Sequence, residues 1–269
     1  MILPQKIKIY QVDAFTDKLF SGNPAAVCVL DSWLSEELMQ AIGTENNLSE
    51  TAFLVPKGSD FEIRWFTPNV EVDLCGHATL ASAFVLFNVL NYPSPVIKFY
   101  SRNSGLLTVE KKEEMLFLDF PTDTLTAITE EQQNTAVEKC IGIKPIALYK
   151  GKADYMAVID SESTLRSLQP DMRAVGKLNA RGLIVTAKGD EADFVSRFFG
   201  PQSGVDEDPV TGSAHTTLLP FWAAKAGKNK FTAKQLSQRG GLLSCEFKND
   251  RCIIGGKARL YMIGEINLN

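Results

Sequence analysis

The sequence lacks an excess of basic residues, paired cysteines and long hydrophobic runs. Its formal net charge of −4 argues against nucleic acid as a partner, because neutralising phosphates requires clustered Lys and Arg. No apolar run approaches a membrane span, and the opening residues lack the features of a signal peptide, so we expect a cytoplasmic protein with no membrane contact. The five cysteines are odd in number and scattered, which indicates reduced thiols, and no Cys/His spacing predicts a metal site.

Histidine is also scarce, and this restricts where acid–base chemistry can occur. His77 and His215 are the only two histidines, and each lies just after a glycine that opens an apolar segment. The length of 269 residues suits one large domain or two of roughly 130 residues. A chain of this size buries enough surface to fold without disulfides or a structural metal.

The chain contains an internal repeat. The segment SRNSGLLTVEKKE, which begins at Ser101, aligns without a gap on SQRGGLLSCEFKN, which begins at Ser237, at a shift of 136 residues (237 − 101). The same shift carries Gly76 onto Gly212. We therefore predict two similar lobes, residues 1–122 and residues 123–269, and the extreme C-terminal strand can return to the first lobe.

Hydrophobic patterning predicts the main elements of both copies. Strand-like segments recur in the same order, and the helices over residues 77–89 and 213–226 are apolar nearly all round, which is typical of a helix inside a sheet or barrel. A short helix over residues 35–42 is predicted to end at Gly43. Residues 204–208 are predicted to form an acidic loop inserted just before the second apolar helix.

The starts of the two apolar helices predict an anion site. A helix N-terminus presents N–H groups without intrahelical partners and the positive end of the helix dipole. Gly76 and Gly212 let a ligand approach these groups, so we expect them to bind a small carboxylate in one shared cleft. His77 lies in the first turn, where the dipole lowers its affinity for a proton. A helix cap without a catalytic role would give the same pattern.

The second helix start carries different polar residues. Ser213 takes the place of His77 and could bind a carboxylate or hydroxyl group of a substrate. Asp208 precedes a proline that favours extended backbone, so its carboxylate could point toward the ligand, although an ordinary turn aspartate has the same signature. His215 lies beyond the position that matches His77, and its role is left open.

Glu50 is the remaining acid–base candidate. It opens a predicted strand, and its counterpart in the second copy lies near Arg181, so the acid is not part of the shared architecture. A carboxyl group at the mouth of an apolar cleft suits proton transfer near neutral pH. The alternative is a surface glutamate at a strand start. The nearby Asn23-Pro24 pair indicates a turn with a structural role.

Several of these motifs together resemble the phenazine-biosynthesis PhzF-like isomerase family, which has the diaminopimelate-epimerase-like fold. The matching stretches lie in family order along nearly the whole chain: QVDAFTDKLFSGNPAAV from Gln11, NLSETAF from Asn47, RWFTPNVEVDLCGHATLAS from Arg64 and DPVTGSAH from Asp208. The resemblance implies an α+β fold of two pseudo-symmetric lobes. Each lobe is a curved mixed or antiparallel sheet wrapped around a central apolar helix, with the active site between the lobes.

The resemblance also implies roles for individual residues. The proton-shuttling acid of the family falls on Glu50, and its other polar catalytic positions fall on His77, Asp208 and Ser213. Gly76 and Gly212 fall where backbone N–H groups hold the substrate carboxylate, and their neighbours Cys75 and Thr211 complete the expected substrate-binding set. The resemblance implies no metal and no organic cofactor. It implies a homodimer that isomerises a small carboxylate or amino-acid-like metabolite.

Two alternatives remain open at this point. The same fold hosts racemases and epimerases with a thiol at each helix start, and Cys75 occupies the first such place. Its partner at the 136-residue shift is Thr211 (75 + 136), whose hydroxyl is a far weaker base than a thiolate. The other alternative is a binding or interaction protein that kept the fold without turnover, since duplication of a fold says nothing about chemistry.

Overall fold

A computed structural model describes residues 5–268 of the chain. The strands, in chain order, are β1 (Gln5–Ala14), β2 (Asn23–Val29), β3 (Glu50–Lys57), β4 (Asp60–Phe66), β5 (Glu71–Val72), β6 (Val96–Ser101), β7 (Gly105–Lys112), β8 (Met115–Pro121), β9 (Thr126–Ile128), β10 (Ala147–Lys150), β11 (Tyr155–Val158), β12 (Leu183–Lys188), β13 (Phe194–Gly200), β14 (Val205–Asp208), β15 (Lys230–Gln235), β16 (Gly241–Lys248), β17 (Arg251–Gly256) and β18 (Ala258–Leu268). The helices are α1 (Glu36–Asn46), α2 (Gly76–Phe84), α3 (Glu131–Ile141), α4 (Glu162–Ser167), α5 (Met172–Val175) and α6 (Gly212–Ala226). A π-helical turn, Val85–Val89, continues α2, and a 3-10 turn, Pro201–Ser203, precedes β14.

The chain divides into two compact units. The first ends at Asp119 and regains the segment from Gly255 onward, and the second is Phe120–Ile254. In the first unit the strands pair in the order β18-β1-β2-β3-β4-β6-β7-β8, and the short β5 pairs with one end of β4. The pairs β2–β3 and β4–β6 are parallel and the others are antiparallel. Chain segments that contain α1 and α2 make these two parallel crossovers.

The second unit repeats this connectivity. Its strands pair in the order β9-β10-β11-β12-β13-β15-β16, and β14 pairs with one end of β13. The parallel pairs are β11–β12, whose connection contains α4 and α5, and β13–β15, whose connection contains α6. The predicted mixed α+β fold of two similar halves is therefore confirmed.

Each unit has its own apolar core. In β1 the side chains of Ile7 and Ile9 are buried and those of Lys6 and Lys8 are exposed. This is the alternation expected of a sheet with one covered face. Helix α2 is buried from Gly76 to Ala83 and contacts β1, β2 and β3. Helix α6 is likewise largely buried, in agreement with its uniformly apolar sequence. No described helix is long and apolar enough to cross a membrane.

The predicted end of α1 is wrong. Ser35 caps the helix as expected, but α1 continues through Gly43 and ends at Asn47, which adopts the left-handed conformation. Gly43 serves close packing instead of termination: an added Cβ would lie 3.1 Å from Cβ of Phe66 and 3.3 Å from the carbonyl oxygen of Thr67. A glycine chosen for close approach cannot be told by pattern alone from one that ends a helix.

The predicted acidic loop over residues 204–208 is also wrong. Val205–Asp208 is β14, which pairs antiparallel with β13 through Phe198↔Asp208 and Phe199↔Glu207. Arg197 on β13 donates to both carboxylate oxygens of Glu207, at 2.7 and 2.9 Å. This bidentate ion pair neutralises Glu207 and fixes β14 against β13 ahead of α6.

Candidate active site

The N-terminal ends of three elements meet in the first unit. The strands β2 and β3 are parallel and in register at Ala25↔Glu50, so they begin at the same edge of the sheet. Asn23 is the first residue of β2, Glu50 is the first residue of β3 and His77 is the second residue of α2. The connectivity therefore places an amide, a carboxyl group and an imidazole together, although they are far apart in sequence.

Glu50 and His77 form the central contact of this cluster. Oε2 of Glu50 lies 3.1 Å from Nε2 of His77, and their side chains are only 16% and 4% exposed. The approach lies off the line of an N–H···O hydrogen bond, so within residues 5–268 neither atom has a hydrogen-bond partner. Buried polar atoms are nearly always hydrogen-bonded in folded proteins. The two groups therefore meet as a buried ion pair without an aligned hydrogen bond.

The other nitrogen of His77 is contacted from two sides. Nδ1 lies 3.1 Å from the amide nitrogen of Asn23 and 3.5 Å from Sγ of Cys75. When Asn23 donates, Nδ1 accepts and the ring proton is on Nε2, facing Glu50. When the amide is turned, its oxygen accepts from a protonated Nδ1 and the ring can carry both protons. Asn23 can thus hydrogen-bond to His77 both when the imidazole is neutral and when it is protonated.

The charge state of His77 differs from the sequence-based expectation. Burial by itself lowers the pKa of this imidazole, but negative charge on Cys75 and on Glu50 opposes burial, and the pKa is raised well above its usual 6.5. Because burial keeps the Cys75 thiol protonated at neutral pH, the Glu50 carboxylate is the group that acts there. The prediction that the helix dipole would keep His77 neutral is therefore wrong. A carboxylate 3.1 Å away outweighs a dipole end, which is equivalent to only about half a charge.

Cys75 occupies the N-cap position of α2 but is not poised as a nucleophile or base. The residue is buried, and burial, assisted by the Glu50 charge, raises the pKa of its thiol to about 11. At neutral pH the side chain is a protonated thiol. Thr211, 136 residues later (211 − 75), is the N-cap of α6. The 136-residue shift found in the sequence therefore pairs the N-cap of α2 with the N-cap of α6.

Glu50, Cys75 and His77 also offer one possible metal-ligand atom each, all within 4.8 Å of one another. The geometry suits a single ion poorly, because the thiol lies near Nδ1 of His77 and the carboxylate lies near Nε2. An ion bonded to one ring nitrogen would lie away from the ligand on the other side of the ring, and one side chain would have to turn. The arrangement fits proton exchange along the ring better than chelation.

The start of α6 brings together the candidates of the second unit. Thr211 donates its hydroxyl proton to Oδ2 of Asp208 at 2.5 Å. Gly212 is buried at the first helical position, as Gly76 is in α2. The Ser213 hydroxyl, one residue further, has no hydrogen-bond partner among the described residues. Asp208, Thr211, Gly212 and Ser213 therefore form a second local cluster of polar groups at a helix N-terminus.

His215 has a structural role in this arrangement. Its Nδ1–H donates to the Thr211 carbonyl at 2.9 Å, and its ring is fully buried beside Phe194. Burial lowers the pKa of His215 to about 4, so the ring is neutral at physiological pH. Thr79 stands at the matching position of α2 and makes the matching bond, from its hydroxyl to the Cys75 carbonyl at 2.5 Å. His215 and Thr79 therefore make the same bond at equivalent helix starts.

Sequence reasoning undervalued Asn23. The Asn-Pro pair was interpreted as a turn, yet the Asn23 side chain is fully buried against His77. A polar residue between a turn and a fully apolar strand was the available signal, because a buried amide needs a specific partner.

Comparisons with known proteins show the family and the fold of the chain. Residues 12–264 match the model of the family described as phenazine biosynthesis-like protein. An uncharacterized isomerase of Pseudomonas aeruginosa is 49% identical over 263 residues, which cover 98% of this chain and all of the relative. The crystal structure of a PhzF-family phenazine biosynthesis protein from Enterococcus faecalis superposes with a TM-score of 0.93 at 47% identity, covering 98% of this chain and 100% of that one. A hydroxyproline epimerase from Agrobacterium vitis, with a TM-score of 0.66 at 10% identity, shares the fold.

Proposed function

This chain belongs to the phenazine biosynthesis-like protein family, and we propose that it is an isomerase that moves a proton within a small carboxylate or amino-acid-like metabolite, with Glu50 as the proton carrier. The observation that carries the proposal is the Glu50–His77 pair. Its two facing atoms are buried, 3.1 Å apart and without an aligned partner in the described chain. Such a pair can take up and release a proton with little rearrangement.

In the proposed reaction Glu50 removes a proton from a carbon conjugated with an unsaturated centre. It then returns the proton to another carbon on the same face of the substrate. His77 assists by holding the carboxyl group of Glu50 and by stabilising its ionised form between the two transfers. The N-terminus of α2 at Gly76 binds the substrate carboxylate and stabilises the negative charge that develops when the proton leaves.

The proposal extends to residues of the second unit through the family resemblance. Asp208 and Ser213 are the residues of this unit that we expect to orient a substrate, and Gly212 offers backbone N–H groups to its carboxylate. The N-cap residues Cys75 and Thr211 are the expected substrate contacts of their own units. The hydroxyl of Ser213 supports this role because it has no partner among residues 5–268. We further propose that the protein is cytoplasmic and that it forms a homodimer. Sedimentation equilibrium of the purified protein would test the homodimer.

The racemase alternative rests on Cys75 and is the weaker one. A thiol whose pKa is raised to about 11 is a poor base at neutral pH, and its counterpart is a threonine. If Cys75 were nevertheless the base, Cys75→Ala would stop deuterium exchange at a substrate α-carbon while Glu50→Gln would not.

The decisive variant is Glu50→Gln, which keeps the size of the side chain and removes the base. A panel of unsaturated cyclic and linear amino and hydroxy acids would first be screened by thermal shift, since a true ligand at about 100 times its Kd adds roughly 2.7 kcal/mol of stability. Ligands that bind are then incubated in D2O and followed by NMR for deuterium incorporation and isomerisation. We expect Glu50→Gln to lower the exchange rate at least about 10³-fold while ligand binding is retained.

Glu45→Gln is the matched control, because Glu45 lies exposed on α1 of the same unit. It should keep the wild-type rate. Wild-type exchange in Glu50→Gln would remove Glu50 from the mechanism, whatever the substrate.

A further inference from the structure

A buried glutamine at the end of β15 organises the start of α6. Gln235 is 1% exposed and is the last residue of its strand, paired with Gly241. Its Oε1 accepts from the backbone N–H of Thr211 at 2.8 Å. Its Nε2 donates to the backbone carbonyl of Asp208 at 2.8 Å and to Oγ1 of Thr211 at 3.1 Å. One side-chain amide therefore makes three hydrogen bonds, two to Thr211 and one to the backbone of Asp208.

These contacts fix the direction of every hydrogen bond in the network. A backbone N–H can only donate and a carbonyl can only accept, so the Gln235 amide has a single possible orientation. Because Oγ1 of Thr211 accepts from Nε2, its own proton is directed to Oδ2 of Asp208, 2.5 Å away. The chain of donors thus runs from Gln235 through Thr211 to Oδ2 of Asp208, which accepts at its end.

This amide is not part of the architecture that the two units share. The 136-residue shift aligns Gln235 with Phe99, a buried apolar residue, and Ser101 closes the corresponding strand β6. Phe99 has no polar side-chain atom, and the Ser101 hydroxyl bonds to the Asp73 carbonyl and the N–H of Ser104 instead of to the N-cap residue Cys75. Gln235 is therefore specific to the helix start at which Asp208 and Ser213 lie, just as Glu50 is specific to the other.

We propose that Gln235 is a positioning residue for the isomerase site: through the Thr211 hydroxyl it holds the Asp208 carboxyl group in one orientation. This inference rests on the proposed function insofar as Asp208 acts on the substrate. The hydrogen-bond network itself is independent of that function. The inference therefore has one readout that needs turnover and one that does not.

The test compares Gln235→Glu with Gln235→Leu. The leucine removes all three bonds, whereas the glutamate is isosteric and regains a donor only when it is protonated. In the deuterium-exchange assay we expect both variants to lower kcat about 10- to 100-fold at pH 8, with KM changed less than threefold. As the pH falls toward 5, activity relative to wild type should recover in Gln235→Glu but stay low in Gln235→Leu. A merely structural residue would give two parallel pH profiles.

The readout without turnover is the hydroxyl proton of Thr211, observed by NMR in protein labelled at threonine. In the wild type it should be protected from exchange with water, and in Gln235→Leu that protection should be lost. Gln202→Leu is the control, because the Gln202 amide also donates to backbone carbonyls in this unit, those of Val175 and Leu178. It should leave the Thr211 signal and the pH profile unchanged.

The outcomes separate the two proposals. A protected Thr211 hydroxyl in Gln235→Leu, or activity within twofold of wild type at every pH in both variants, overturns the role of Gln235. Wild-type exchange in Glu50→Gln overturns the Glu50 mechanism but leaves the Thr211 signal, and hence the role of Gln235, to be judged separately.

Discussion

The same position in the two units is used in opposite ways. Where the parallel strands β2 and β3 begin, Glu50 faces His77 without an aligned hydrogen bond. Where the parallel strands β11 and β12 begin, Arg181 forms a two-point ion pair with the buried Asp154, through Nε–Oδ1 at 2.9 Å and a second bond to Oδ2. At this edge of the sheet the first unit leaves the Glu50 carboxyl group without an aligned hydrogen bond, whereas the second unit neutralises the Asp154 carboxylate with Arg181.

Other polar features are the same in both units. Arg64 on β4 makes a bidentate pair with Glu71 on β5, and Arg197 on β13 makes one with Glu207 on β14. Each pair anchors the short strand that leads to a buried helix. These contacts belong to the shared architecture, so they stabilise the fold of both units and do not mark either unit for catalysis.

The largest predicted effect separates these two uses of charge. Arg181→Met leaves the Asp154 carboxylate buried without its partner and should lower the free energy of unfolding by about 3 kcal/mol. Glu50→Gln removes a carboxyl group that has no aligned partner and should change it by less than about 1 kcal/mol. Urea unfolding of both variants, monitored by tryptophan fluorescence and circular dichroism, measures the difference.

Equal destabilisation by the two substitutions would contradict the comparison. It would mean that the Glu50–His77 contact stabilises the fold as strongly as the Arg181–Asp154 ion pair does. Lys6→Met is a control for loss of a cation, since its ion pair with Glu265 is exposed on both sides and its loss should leave the free energy of unfolding nearly unchanged.

Much of the fold could be predicted because the repeat and the hydrophobic pattern both constrain it. Uniformly apolar segments indicated α2 and α6, and the 136-residue shift between Ser101 and Ser237 correctly matched the helix starts. The errors fell where long-range contacts decide the local structure. Gly43 is inside a helix because Phe66 packs against it, and β14 is a strand because Arg197 neutralises Glu207.

The site could be predicted only in part. Residues such as Glu50 and His77 were found because motifs of a known family carry them. Asn23 and Gln235 were missed as site residues, since a buried amide has no sequence signature until its partners are known. The charge of His77 was misjudged for the same reason: the helix start is local and visible in the sequence, but the carboxylate opposite it comes from a different strand.

The next effect concerns the two histidines, whose pKa values shift in opposite directions. The pKa of His215 falls from 6.5 to about 4 on folding, so the unfolded chain binds more protons between these values and stability is lost as the pH falls. Between pH 7 and pH 5 the loss from this residue is about 2 kcal/mol. His215→Thr, which copies Thr79, should remove that loss while making the same backbone bond.

The measurement is urea unfolding of wild type and His215→Thr from pH 7 to pH 5. The variant has a smaller side chain and is expected to be less stable at pH 7, so the slope with pH is the relevant quantity. His77 contributes with the opposite sign: its pKa is raised by folding, so its contribution is present below pH 6.5 and is lost as the pH rises through the folded value. An unchanged slope in His215→Thr would show that His215 is not the group that titrates.

The smallest effect compares two serines that the repeat makes equivalent. Ser101 accepts from the N–H of Ser104 and donates to the Asp73 carbonyl at 3.4 Å, and Ser237 accepts from the N–H of Gly240 and donates to the Pro209 carbonyl at 2.8 Å. The shorter bond should be the stronger, so Ser237→Ala should cost about 1 kcal/mol of unfolding free energy and Ser101→Ala about half of that. Because both substitutions remove the same atom from matching turns, their ratio in urea unfolding isolates the effect of bond length. A larger cost for Ser101→Ala would mean that Ser101 makes its principal contribution through another contact, and that the two units are equivalent in backbone but not in the energetics of this turn.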